Sequence, residues 1–311
     1  MEASKTKARV IHNPSSGGGG TGEPNRLREE LSSFDLDWIE TGSPDDAREA
    51  AREWDGGLLV VVGGDGTVND VVNGLGESGF LEDITLAILP AGTGNDLAAT
   101  LAIPEGPHQA RKVIRQGRVR AIDVARVCSK GMGERFFINV ATGGLGAQIS
   151  NANEEEFKRR WGKLSYLRAS LEAARSFDVR DATLSLDGGE ERAVRAVNVA
   201  VGNCRYAGGG WPASPRANPE DGLLDIVVIA DAGLKELLTL APAALSKSGY
   251  LENEGVLFER AERIQIKTDP PGLEFTVDGE VIGSEPLEFS VIPRALKVVV
   301  GPGYVPDPKE V

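Results

Sequence analysis

The chain is poor in the residues that build metal centres and disulfide scaffolds. It has two cysteines and two histidines in 311 residues. Cys128 and Cys204 lie in no CxxC pair and cannot make a disulfide framework. His12 and His108 have no HExxH or comparable spacing, which excludes zinc chemistry. Aromatic residues are also scarce, at 5%. No apolar run approaches the roughly 20 residues of a membrane span; 58–62 and 226–230 are short. Residues 1–10 are polar and carry no apolar signal core, so a soluble, cytoplasmic protein is expected. Positive charge is in deficit, with 34 Lys and Arg against 47 Asp and Glu and a net charge of −13. That speaks against nucleic acid as a partner, because such binding runs on counterion release to Lys and Arg.

What is present is glycine, 39 residues, well above the usual share of about 7%. The rest is ordinary for a globular chain, 41% apolar and 26% charged. At about 150 residues per domain the length predicts two domains. Apolar runs at 8–12, 36–40, 58–62 and 86–89 read as strands, and the continuous run 58–62 suits a strand covered on both faces. Helical segments follow at 26–34, at 45–54 (capped by Ser43 with Pro44 first), and at 68–74, 96–101 and 109–116. The alternation predicts a doubly wound α/β nucleotide-binding domain over 1–124. Beyond it, strands are expected at 122–127, 135–142, 181–186, 193–201, 224–230, 263–268, 273–277, 287–291 and 296–300. Helices are expected at 154–176 and 234–245. This β-rich half, 125–311, reads as a β-sandwich-like domain, with the extreme C-terminus able to return to the first domain. The active site is expected in the cleft between the two.

Glycine clusters after three strands of the first domain: at 13–20, 63–67 and 92–95. In an open α/β sheet ligands bind beyond the carboxyl ends of strands, and glycine lets backbone N–H groups approach phosphate oxygens. Each loop alone could be a tight turn; three at equivalent strand ends point to a nucleotide. Common fingerprints fail. No GxxxxGK[ST] is present, and Gly64-x-Gly66 is followed by Asn69 where a dinucleotide loop needs a third glycine.

Gly63-Gly64-Asp65-Gly66-Thr67 with Val68-Asn69-Asp70, then Leu89-Pro90-Ala91-Gly92-Thr93-Gly94-Asn95-Asp96, resembles the diacylglycerol kinase catalytic domain. The chain is most similar to the soluble bacterial lipid kinases, which are related to sphingosine and ceramide kinases. Asn13-Pro14-Ser15-Ser16-Gly17 is similar to that family's first nucleotide loop. Tyr206-Ala207-Gly208-Gly209-Gly210, Asp221-Gly222-Leu223-Leu224-Asp225 and Asp278-Gly279-Glu280 resemble signatures of its second half. The resemblance spans most of the chain with motifs in the same order.

The resemblance implies an ATP-dependent lipid kinase, with diacylglycerol the first acceptor to test. It implies that Asn13, Pro14, Ser15, Ser16, Gly17, Thr41, Gly64, Asp65, Gly66, Thr67, Val68, Asn69, Asp70 and Thr93 line the ATP site. Asp65 is an acid in a loop otherwise suited to anions, so a Mg²⁺ contact or proton relay is expected, the alternative being a helix cap. By resemblance Glu280 is the general base that takes the proton from the lipid hydroxyl; the alternative is an exposed hairpin carboxylate. Asp221 is similar to the family position that helps hold a structural Mg²⁺, with oxygens of Asn218 and Leu223 joining it; a plain Asp-Gly turn is the alternative. The chain departs from the family at Cys204, where glycine is common, and an altered cleft wall is expected there.

Two other readings share the GGDGT loop or the fold: an NAD kinase-like phosphotransferase, and a nucleotide-responsive lipid-binding protein with little turnover. The stretch 158–168 carries five basic residues, two aromatics and no acid. Against the acidic background it could rest peripherally on an anionic inner leaflet, or be a solvated helix face. The sequence leaves a homodimer open.

Overall fold

A computed structural model describes residues 6–16, 23–79, 84–129, 131–144, 179–230, 248–268, 273–278, 280–284 and 286–308. Gly17, the expected helices at 154–176 and 234–245, and the basic stretch 158–168 lie outside the described residues.

The first half is a parallel sheet flanked by helices. Strands β1 (Lys7–His12), β2 (Asp35–Glu40), β3 (Gly57–Gly63) and β4 (Ile84–Pro90) lie side by side in the order β4-β3-β1-β2, every pair parallel. Leu59 to Val62 of β3 are buried throughout, as an apolar run covered on both faces must be. The connecting helices are α1 (Glu23–Glu30), α2 (Pro44–Arg52), α3 (Asp65–Ser78), α4 (Asp96–Thr100) and α5 (Pro107–Gln116). Ser43 caps α2, and Asp46 closes the capping box while Pro44 opens the helix. α2 buries Ala47, Ala50 and Ala51 and lies so close to α3 that a Cβ on Gly74 would collide with the Arg48 carbonyl.

The second half is mainly antiparallel: β5 (Val119–Ser129), β6 (Gly133–Phe137), β7 (Val140–Gly144), β8 (Arg180–Leu186), β9 (Arg192–Gly202), β10 (Leu224–Ala230), β11 (Val256–Ala261), β12 (Arg263–Thr268), β13 (Glu274–Val277), β14 (Glu280–Ser284) and β15 (Leu287–Val299). Among the described residues the fifteen strands join in one mixed sheet, whose main path runs β14-β13-β7-β9-β8-β12-β15-β4-β3-β1-β2. β15 is the seam. Its first half pairs with β12, its length with β5, and its end runs parallel to β4 at Lys297↔Thr85 and Val298↔Leu86. Leu296, Val298, Val299 and Tyr304 therefore pack into the core of the first half. The β-rich half has its own core, in which Phe289 meets Phe137 edge-on at 6.2 Å and Phe275 at 5.8 Å. Among the described residues no helix is long and apolar enough to cross a membrane.

Three expectations are corrected. The helix expected at 68–74 begins earlier, at Asp65, because Gly64 adopts an extended N-cap conformation and lets the GGDGT loop turn directly into α3. The strand expected at 135–142 is two strands, broken where the Asp278 carboxylate takes the N–H groups of Ile138, Asn139 and Val140. The strands expected at 287–291 and 296–300 are one, β15, which shifts register between Ile292 and Leu296 around Arg294 at φ 51°. Pro293 marks this bulge, not a strand end. β11 and β14 were not expected; both are short.

Phe289 is fully buried where three aromatic rings meet. Phe289→Ala is expected to cost about 3–5 kcal/mol, read as a lower midpoint in urea unfolding with little change in slope.

Candidate active site

Because β1 to β4 are parallel neighbours, the loops that leave their carboxyl ends share one edge. Backbone bonds tie that edge together: Asn13 N–H to the Val62 carbonyl, Thr41 N–H to His12, and Ala91 N–H to Gly63, each 2.9 Å. The Asn13 amide donates to Thr67 Oγ at 3.1 Å, joining the first loop to the second. Pro14, Ser15, Gly66 and Thr93 are exposed along this edge. Gly64 and Gly92 stack so closely that a Cβ on Gly92 would lie 2.5 Å from the Gly64 Cα. Here glycine is required for approach. Thr41, Thr67, Val68 and Asn69 turn inward: they are buried, and the Val68 N–H already bonds the Gly64 carbonyl at 3.1 Å.

Asp65 starts α3 but serves α4. Its Oδ1 accepts the Leu97 N–H at 3.3 Å, with Asn95 and Asp96 N–H groups also bonded to the carboxylate. The cap expected as an alternative role thus acts on the following loop's helix. Burial pushes the Asp65 carboxyl above its usual range, against these bonds. Asp96, buried beside it, accepts the N–H groups of Gly209 at 3.0 Å and Gly210 at 2.6 Å. A glycine loop of the second half is thereby fastened to the third loop of the first. Gly208, Gly209 and Gly210 all have positive φ, which only glycine adopts without strain over three successive residues.

Glu280 begins β14, just after the turn at Asp278, whose φ is 46°. Its Oε2 accepts from Arg135 Nη1 of β6 at 2.7 Å. Asp70 of α3 is pushed up to about 7 by burial and by the Glu280 charge, while Arg48 and Arg135 oppose the rise. Thus Asp70 and Glu280, from opposite ends of the sequence, share one electrostatic neighbourhood. Asp278 accepts three N–H groups at 3.1 Å, yet burial pushes its carboxyl up to about 7, with the Asp65 charge adding to the rise.

The turn at 218–223 brings the expected cation ligands together. Asp221 N–H bonds the Asn218 carbonyl at 3.3 Å, and Asp221 Oδ1 accepts the Leu223 N–H at 3.0 Å. Asp123, fully buried, fixes the turn through the Gly222 N–H at 2.8 Å. Burial raises the Asp221 carboxyl, and Arg260 stands 3.6 Å away. Among the described residues no three His, Cys, Asp or Glu side chains form a metal cage. A cation here would rest on one carboxylate and main-chain oxygens. Those are hard donors of the kind Mg²⁺ accepts with water completing its shell, so the residues fit.

Residues 7–127 match the diacylglycerol kinase catalytic domain, and residues 139–300 match the YegS C-terminal NAD kinase beta sandwich-like domain. The chain belongs to the diacylglycerol kinase catalytic-domain family. It is a member of a lipid-kinase family with a YegS-type second half. It is 31% identical over 304 residues to a diacylglycerol kinase of Mycobacterium tuberculosis H37Rv, covering 94% of each chain. It is 32% identical over 249 residues to the "Probable lipid kinase YegS-like" of Enterobacter sp. strain 638, covering 78% of each. A crystal structure of a diacylglycerol kinase from Bacillus anthracis strain Sterne superposes with a TM-score of 0.73 at 25% identity, covering 98% of this chain and all of that one.

In this member of the family, Cys204 does not form a wall: it is fully buried in the first core, and burial pushes its thiol far above the usual range. Sequence reasoning missed Asp96, Asp123, Arg135 and Asp278 as site-building residues. Asp96 and Asp278 carried a usable signal, each being an acid inside a quoted glycine motif; Arg135 carried none.

Asp278 gives a signed test. A carboxyl whose folded value is raised leaves the native chain holding more protons than the unfolded chain between about pH 4 and 7, so Asp278 drains stability as pH rises through that window. The urea-unfolding deficit of Asp278→Asn relative to wild type is expected to be largest near pH 4.5 and to shrink toward pH 7. A deficit that grows with pH would contradict the assignment.

Proposed function

We propose that this lipid kinase transfers the γ-phosphoryl of ATP to the free hydroxyl of diacylglycerol, giving phosphatidic acid, with Glu280 as the base. The observation that supports it most is the pairing of charge environments between Asp70, on the helix that leaves the GGDGT loop, and Glu280, after the DG turn.

In this reading the ATP phosphates lie along the carboxyl edge of β1 to β4. The backbone N–H groups of Gly66 and Thr67, in the first turn of α3, face the anion, and the exposed Gly66 allows close approach. Asn13, Ser15, Ser16 and Thr93 position the nucleotide around them, while the buried Thr41 braces the first loop from beneath. Asp65 holds the second and third loops in register, so that phosphoryl transfer meets a preset geometry instead of assembling one. Arg135 occupies Oε2 of Glu280, and Oε1 is the atom that accepts the proton of the lipid hydroxyl as its oxygen attacks the γ-phosphorus. Mg²⁺ supplies charge neutralisation for the phosphates, and at the 218–223 turn Asp221 with the main-chain oxygens of Asn218 and Leu223 would hold a structural ion. Contact of 158–168 with an anionic leaflet would bring the enzyme to its substrate, at the cytoplasmic face of the membrane.

The test is transfer of label from γ-labelled Mg-ATP to detergent-dispersed diacylglycerol, sphingosine, ceramide and NAD, beside Glu280→Gln. Label in diacylglycerol, reduced about 10²–10⁴-fold in the variant, is expected. Label in a sphingoid lipid instead reassigns the acceptor, and label only in NAD overturns the lipid reading.

A further inference from the structure

We propose that Arg135 is the positioning residue for Glu280, and that Asn73 ties this pair to α3, the helix that begins at the nucleotide loop. The proposal rests on the reading of Glu280 as the base.

Three contacts carry it. Arg135 Nη1 donates to Glu280 Oε2 at 2.7 Å. The next residue, Phe136, is locked to α3 by a reciprocal pair: the Asn73 amide donates to the Phe136 carbonyl at 2.8 Å, and the Phe136 N–H donates to Asn73 Oδ1 at 3.0 Å. The Phe136 ring then packs on Gly76, where a Cβ would collide with it. Asn73 is buried, and its amide also reaches Asn69 one turn back. Asn73 lies eight residues after Asp65, about 12 Å along the helix axis. α3 thus runs from the glycine loop to the strand that carries Arg135. One rigid element sets the nucleotide end and the base end together.

A stabilising role alone would not explain the ion pair. Both side chains are partly exposed, 33% for Arg135 and 44% for Glu280, and such pairs contribute little to stability. What a guanidinium does to a carboxylate at this distance is fix the orientation of the oxygen it holds, leaving the other oxygen free. Arg48 from α2, paired with Glu77, and Asp70 from α3 lie within reach of the Glu280 charge.

The experiment is steady-state kinetics for dioleoylglycerol in detergent micelles with Mg-ATP, for wild type, Arg135→Gln, Arg135→Lys and Glu280→Gln. Arg135→Gln is expected to lower kcat by about 10–100-fold while KM for ATP stays within about twofold. Arg135→Lys, which keeps a donor and the charge, is expected to restore part of kcat. Wild-type kcat in Arg135→Gln, with Glu280→Gln inactive, overturns the positioning role and leaves the base in place. So does a loss in Arg135→Gln that falls entirely on the KM for ATP. Wild-type activity in Glu280→Gln overturns the base itself, and this inference with it. If Arg135→Gln fails to fold, Arg135→Lys decides by the split of kcat against KM: a loss that falls entirely on the KM for ATP overturns the proposal.

Discussion

The Asp278 carboxylate accepts the N–H groups of Ile138, Asn139 and Val140, three donors that a continuous strand would have given to its neighbours. The break separates β6, which faces α3, from β7, which pairs with β9 and β13. Asp278 also ends β13, so the same carboxylate fixes where β14 and Glu280 begin. Removing it would leave three backbone donors without an acceptor inside the fold, each costing on the order of 1–3 kcal/mol. The position of Glu280 therefore depends on a residue two before it, which acts on a segment about 140 residues away in sequence.

The same solution recurs around the site. Asp65 takes N–H groups at the start of α4, Asp96 takes those of Gly209 and Gly210, and Asp123 takes those of Gly222 and Arg294. Each fastens a loop by main-chain donors, which do not depend on a long side chain holding one rotamer. The arrangement has an electrostatic consequence. Backbone dipoles only partly offset the burial of these carboxylates, so Asp65, Asp123 and Asp278 remain above their usual range. The charged form of these acids is thus disfavoured beside loops suited to anions, a cost that a divalent cation accompanying phosphates would relieve.

The glycine loops, the parallel strands and the family were legible because they are local: apolar runs of period-free strands, Gly-rich turns and contiguous motifs. The helix boundary at Asp65 was not, because the GGDGT segment reads as a turn until its last three residues are known to begin α3. The split between β6 and β7 was invisible for a different reason. Nothing in residues 135–142 breaks a strand; the break is imposed from residue 278. β15 was misread in the opposite direction, since Pro293 looks like an end and is accommodated as a bulge at the position where the strand passes from one half of the molecule to the other. Glu280 and Asp65 were singled out by motif, but Arg135, the partner of Glu280, lies outside any motif, and the bonding of Asp65 to the backbone that starts α4 emerges only from packing.

Phosphoryl transfer asks little covalent chemistry of a protein and much alignment. In this fold the alignment is divided between two kinds of element. Loops at the strand edge are held by glycine contacts and carboxylate clamps. Helix α3 is stiff, and Asn73 ties it to the other half by bonding both the N–H and the carbonyl of Phe136. An asparagine suits this position because its amide offers a donor and an acceptor at fixed spacing, matching the carbonyl and N–H of Phe136 at once. An acid there would supply no donor, and an apolar residue would leave both backbone groups buried and unpaired. Register between the loops and Glu280 is therefore set by side-chain chemistry at residue 73, deep in a helix and remote from any glycine motif.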